Sequence, residues 1–139
     1  MFKRLLVPVD LSDKSMPAVD AAFNLARQMG ADVILLHVIE VIEHVQLDEL
    51  KPFYDRLANS AGKGLQELSE RFDAEDLQVE QAVIYGHRTK DIIDFAIQRQ
   101  ADLIIMASHR IDPDRPGHDW SSISYGVAIL SPCPVLLVK

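Results

Sequence analysis

The sequence predicts a doubly wound α/β domain: a five-stranded parallel sheet of order 3-2-1-4-5 between two layers of helices. Three observations predict it. Residues 5–9, 32–39, 102–106 and 135–138 are short, continuous apolar runs without alternation, the pattern of strands buried on both faces. Stretches of helical periodicity separate them, so the chain reads as strand and helix in turn. The connections are short, and right-handed crossovers then place helices on both faces. In this strand order the switch point lies between the first and fourth strands, where ligands of open α/β sheets bind.

Each element has its own warrant. Leu5-Leu6-Val7-Pro8-Val9 is the first strand, and Asp10 with Ser12-Asp13 forms a turn and a candidate helix cap. A helix over 14–29 carries Met16, Val19, Ala22, Phe23, Ala26 and Met29 on one face, with Pro17 in its first turn and Gly30 after its last. Residues 32–39 form the second strand. Residues 40–48 are ambiguous between strand and edge cover. A second helix begins between Leu47 and Pro52 and runs to Phe72, with Phe53, Leu57, Ala61, Leu65, Leu68 and Phe72 as its apolar stripe. Gly62 and Gly64 weaken it, each by about 1 kcal/mol relative to Ala. Residues 77–85 alternate partially and read as a more exposed strand near an edge. A helix over 89–98 buries Ile92, Ile93, Phe95 and Ala96, and the fourth strand follows at 102–106. The last helix spans 121–130, and Pro132 and Pro134 bound its end before the strand at 135–138.

At 139 residues the chain is predicted to be a single domain over 1–139. A net charge of −7 argues against nucleic acid or an anionic membrane as the main partner. Cys133 is the lone cysteine, so no internal disulfide forms and a reducing compartment is expected. With no signal peptide and no apolar run long enough for a membrane span, the expected location is the cytoplasm.

The switch point brings Pro8-Val9-Asp10 beside Ala107-Ser108-His109-Arg110. The segment leaving the fourth strand also carries Arg115, His118, Ser121 and Ser122, all able to meet a phosphate at the start of a helix. Blander roles stand beside these. Asp10 serves equally as a turn or cap residue, and Arg115 pairs as readily with Asp112, Asp114 or Asp119. His109 and His118 with those acids match no zinc spacing, so no metal is expected. His37 reads as a satisfied core histidine, Trp120 as a core anchor, and Cys133 as inert. No nucleophile, base and orienting group line up, so no enzyme is expected.

Five stretches in order resemble the universal stress protein family over nearly the whole chain. They are Leu5 to Asp10 with Ser12 and the helix ending at Gly30-Ala31; Leu35-Leu36-His37-Val38; Gly86 with Ile92-Ile93 and Ala96; Ala101 to Met106; and Cys133 to Val138. The resemblance implies an adenine nucleotide (ATP, with Mg²⁺, or AMP) held by Pro8, Val9, Asp10, Val38, Met106, Ala107, Ser108, His109, Arg110, Ser121, Ser122 and Ile123. Asp10 would meet the ribose or adenine edge, and Val38 would offer adenine its backbone.

Nucleotide-binding members carry Gly, two residues, Gly, and further on Gly followed by Ser or Thr. Ala107, Arg110 and Ser121 stand at those glycines here, Ser122 keeps the hydroxyl, and the intervening 111–120 is one residue longer. A left-handed backbone at a non-glycine costs roughly 1–2 kcal/mol, and about 1.4 kcal/mol is tenfold in affinity. Gly117 is a candidate displaced substitute, and Ser-His-Arg also occurs at this place in some nucleotide-binding relatives. The expectation is therefore a stress-response binding module with weak nucleotide affinity. Its alternatives are an interaction protein with a degenerate site, of unidentified protein partner, or a slow ATPase. The resemblance also implies a homodimer through strand 135–138, which would cover an exposed apolar edge.

Overall fold

The computed structural model describes residues 1–109, 114 and 122–139. Its five strands are β1 (Arg4–Pro8), β2 (Asp32–Glu40), β3 (Val79–Gly86), β4 (Leu103–Ala107) and β5 (Val135–Val138). All pair in parallel, in the order β3-β2-β1-β4-β5. The helices are α1 (Met16–Met29), α2 (Lys51–Asp73), α3 (Arg88–Gln98) and α4 (Ile123–Leu130), with short 3₁₀ turns at Asp13–Ser15 and Leu47–Leu50. The segment after residue 40 is not strand: β2 stops at Glu40, and Ile42 lies exposed with its N–H donated to the Tyr54 hydroxyl at 3.0 Å.

Strand pleating divides the core in two. Leu5, Val7, Val33, Leu35, Leu103 and Ile105 point to one face, against Ala18, Val19, Ala22, Phe23 and Ala26 of α1 and Leu65 and Phe72 of α2. Leu6, Ile34, Leu36, Val38, Ile104 and Met106 point to the other, against Ile92 and Ala96 of α3 and Val127 of α4. Consecutive strand residues thus serve opposite layers, which is why the runs are apolar without alternation. Strand β3, at the edge, is the more exposed one, with Glu80, Gln81 and Tyr85 in solvent.

Helix α2 differs from the expected stripe at its amino end. Tyr54, Ala61, Leu65, Ser69 and Phe72 are buried, whereas Phe53 and Leu57 are 40% and 37% exposed. Tyr54 takes the inward place because its ring packs edge-on against Tyr85 at 5.9 Å while its hydroxyl satisfies the Ile42 N–H. Ser69 is buried with its hydroxyl donating to the Gln66 carbonyl and accepting from Gln81 Nε2.

Two glycines behave oppositely. At Gly86 a Cβ would lie 2.0 Å from Asp91 Oδ2, the atom that accepts the His87 N–H at 2.6 Å and closes the first turn of α3. At Gly62 a Cβ would meet nothing within 4 Å. Denaturant unfolding should therefore show Gly62→Ala gaining up to about 1 kcal/mol from helix propensity, and Gly86→Ala losing about 1 kcal/mol with the displaced cap.

Candidate functional site

The carboxyl ends of β1, β2 and β4 and the amino ends of α3 and α4 enclose a cleft of about 640 Å³. This is a size typical of small-molecule sites. One wall is the end of β1. Asp10 Oδ1 accepts the Ser12 N–H at 2.9 Å, the Ser12 hydroxyl at 2.7 Å and the Ser15 hydroxyl at 2.7 Å, and the Asp10 N–H is donated to Ser15 Oγ at 2.9 Å. Every one of those acceptor contacts falls on Oδ1. Burial alone would raise the Asp10 pKa. The hydrogen bonds from Ser15 and Ser12 and the positive charge of Arg88 outweigh it and hold the carboxyl below its ordinary value.

The turn is built on a left-handed backbone at Leu11, φ 66°, a conformation costing a non-glycine roughly 1–2 kcal/mol. The Leu11 side chain packs on the α1/α2 core.

The opposite wall joins β4 to α4. The Ser124 hydroxyl donates to Ser108 Oγ at 3.1 Å, and Ser122 caps α4 by accepting the Tyr125 N–H at 3.4 Å. The His109 carbonyl accepts from the Tyr125 hydroxyl at 2.7 Å and from Lys139 Nζ at 3.2 Å, so the end of the chain helps hold the exit from β4. Arg88, which lines the cleft, donates its N–H to Glu40 Oε1 at 3.0 Å, and that oxygen lies 3.6 Å from Arg88 Nε. Apolar side chains of Leu36, Val38, Ile92, Met106 and Ile123 line the space between.

Of the residues singled out from sequence, Pro8, Val9, Asp10, Val38, Met106, Ala107, Ser108, His109, Ser122 and Ile123 all line this one cleft. Arg110 and Ser121 lie outside the described residues, as do Asp112, Arg115, Gly117, His118, Asp119 and Trp120. Asp114 is exposed in a turn. Helix α4 begins at Ile123 with Ser122 as its cap, two residues later than expected.

Sequence reasoning missed Lys14, Ser15, Leu36, His37, Arg88, Ile92 and Ser124, which also line the cleft. Had the carboxyl-end rule been applied to every strand, His37 and Arg88 would have been found, since they sit near the ends of β2 and β3. His37 satisfies its ring by pairing Nδ1 with the Val9 carbonyl at 2.9 Å, so its core role and its place in the cleft are compatible. Among the described residues no group of three His, Cys, Asp or Glu could hold a metal ion.

Residues 1–139 match the family model described as the universal stress protein family. A universal stress protein of Bacillus subtilis (strain 168) is 29% identical over 153 aligned residues, covering 100% of both chains. Among solved structures, the universal stress protein UspA from Lactobacillus plantarum superposes with a TM-score of 0.85 at 25% identity, covering 99% of this chain and 98% of its own. The fold is shared with a universal stress protein in complex with cAMP (TM-score 0.75, 21% identity, 99% and 97% covered). It is shared too with one from Archaeoglobus fulgidus in complex with dAMP (TM-score 0.74, 20% identity, 99% and 98% covered).

The lowered Asp10 pKa carries a pH signature. Its folded value lies below the unfolded 3.8, so its contribution is complete above 3.8 and is lost as pH falls through the folded value. Asp10→Ala also strips the buried Ser15 hydroxyl of its acceptor. Urea unfolding at pH 7 should show a loss of about 1 kcal/mol, shrinking below pH 3.8 as the wild-type carboxyl takes up its proton.

Proposed function

The chain belongs to the universal stress protein family, and on that premise we propose that it is a small cytoplasmic stress-response module that binds an adenine nucleotide weakly and without turnover. The observation that carries this reading is the cleft at the β1/β4 switch point, with the Asp10 carboxylate on one side and the Ser108–Ser124 pair on the other. Its apolar lining suits a flat heteroaromatic base. Asp10 Oδ2, outside the hydrogen bonds of the turn, is the acceptor for a ribose hydroxyl or an adenine N–H. Lys14 and Arg88 bring positive charge to the same cleft, and the capped amino end of α4 adds N–H groups for a phosphate. Relatives of this fold in complex with cAMP and dAMP support the choice of adenine.

Weak affinity follows from the missing glycines. Ala107 ends β4 as an ordinary strand residue, so at this position the chain has a side chain where a glycine would let phosphates approach the backbone. ATP, with Mg²⁺, and AMP are both candidates, and AMP loses least from that deficit because it places fewest phosphates there. The expectation of no turnover rests on Asp10: against the effect of burial, hydrogen bonds from Ser15 and Ser12 hold its pKa below the ordinary value, which makes it a poor general base for an attacking water.

The partner we propose is a second copy, paired through β5. This edge strand leaves Leu136 39% exposed, and Ile129 and Leu130 of the adjoining α4 are 79% and 63% exposed. A two-fold pairing would cover the edge on both copies at once. No helix among the described residues is long and apolar enough to cross a membrane.

Calorimetry with AMP, and with ATP and Mg²⁺, should give dissociation constants weaker than about 1 µM. Asp10→Ala should weaken AMP a further tenfold or so, about 1.4 kcal/mol. Phosphate release from ATP should stay at the uncatalysed rate; submicromolar affinity or measurable turnover would overturn the reading. Light scattering should report a dimer at micromolar protein, and Leu136→Lys should shift it to monomer.

A further inference from the structure

Leu11 follows the Asp10 carboxylate directly and holds a left-handed backbone, φ 66°, the region an L side chain avoids. Something outside the turn must keep it there. Gly64 lies in the interior of α2, where glycine weakens a helix. A Cβ at that position would stand 3.2 Å from Leu11 Cδ2 and 3.4 Å from Cδ1. The glycine therefore leaves a notch in α2 that the Leu11 side chain occupies. Two residues earlier on the same helix, Gly62 faces open space.

We propose that Leu11 is a positioning residue for the site: seated in the Gly64 notch, it reverses the chain so that Ser12 and Ser15 converge on Asp10 Oδ1 and Oδ2 is left for a ligand. The reversed backbone is what brings the Ser12 N–H, the Ser12 hydroxyl and the Ser15 hydroxyl within 2.7–2.9 Å of one oxygen. Helix α2 contributes no residue to the cleft lining; its influence on the site passes through this contact. The ligand half of the proposal rests on the nucleotide reading above. The positioning half does not.

The test compares wild type, Gly64→Ala, Leu11→Ala and the double variant, with Gly62→Ala as control. Carbon-13 NMR follows the Asp10 carboxyl titration, and calorimetry follows AMP. Arg88, the charge acting on Asp10, is untouched in all of them. Gly64→Ala should move the Asp10 titration upward, toward that of an unconstrained carboxyl, and weaken AMP by about threefold or more. Gly62→Ala should move neither. In the Leu11→Ala background the Gly64→Ala change should add no further shift, because the atoms it meets are gone. An unchanged Asp10 titration in Gly64→Ala, or the same increment with and without the Leu11 side chain, would overturn the proposal. Failure of wild type to bind AMP would sink the nucleotide reading alone, since the titration arm decides the positioning role by itself.

Discussion

The cleft depends on how β1 ends. A central parallel strand must stop, release its chain over the edge of the sheet and start a helix on one face. Here a single carboxylate oxygen gathers three hydrogen bonds from the next five residues. That arrangement ties β1 to the turn before α1, leaves the second Asp10 oxygen outside the turn, and sets the wall against which β2, β4 and α4 build the rest. Its cost is a leucine held in the left-handed region. Strained backbone of this kind persists where surrounding packing over-determines it, and the core contacts of Leu11 supply that packing.

Charge within the cleft differs from charge over the molecule. The chain carries −7, yet Lys14 and Arg88 line the same cleft as Asp10. Glu40 orients Arg88 through its backbone N–H as well as its side chain, and this fixes where the guanidinium stem leaves α3. Lys14 and Arg88 set positive charge against the Asp10 carboxylate in the cleft, which suits the small anion proposed above.

The fold was legible because its signal is redundant. Four continuous apolar runs each say a strand buried on both faces of a parallel sheet, and the partially alternating fifth says an edge; Leu5 facing one layer while Leu6 faces the other is the direct consequence. Helix α2 was less legible at its amino end. Phe53 and Tyr54 are adjacent aromatics, and periodicity alone favours the more apolar phenylalanine; the buried choice fell to the residue whose hydroxyl could satisfy Ile42. The cleft was legible where strand ends adjoin the switch point, hence Asp10, Ala107 and Ser108. Lys14 was not, because its place depends on how far the 3₁₀ turn at Asp13–Ser15 reaches over the sheet, which spacing does not encode. Gly64 was read as a helix weakener, since its partner Leu11 is distant in sequence and meets it only in the folded chain.

An adenine nucleotide site at the switch-point cleft, organised by the Asp10 turn, is open to a nitrogen-15 chemical-shift titration of the labelled protein with AMP. Saturable shifts are expected at the amides of Val9, Asp10, Val38, Ser108 and Ser124, with Lys3, Asp102 and the other residues at the amino ends of the strands unmoved. Saturating shifts at those amino ends, or no shift anywhere at millimolar AMP, would contradict it.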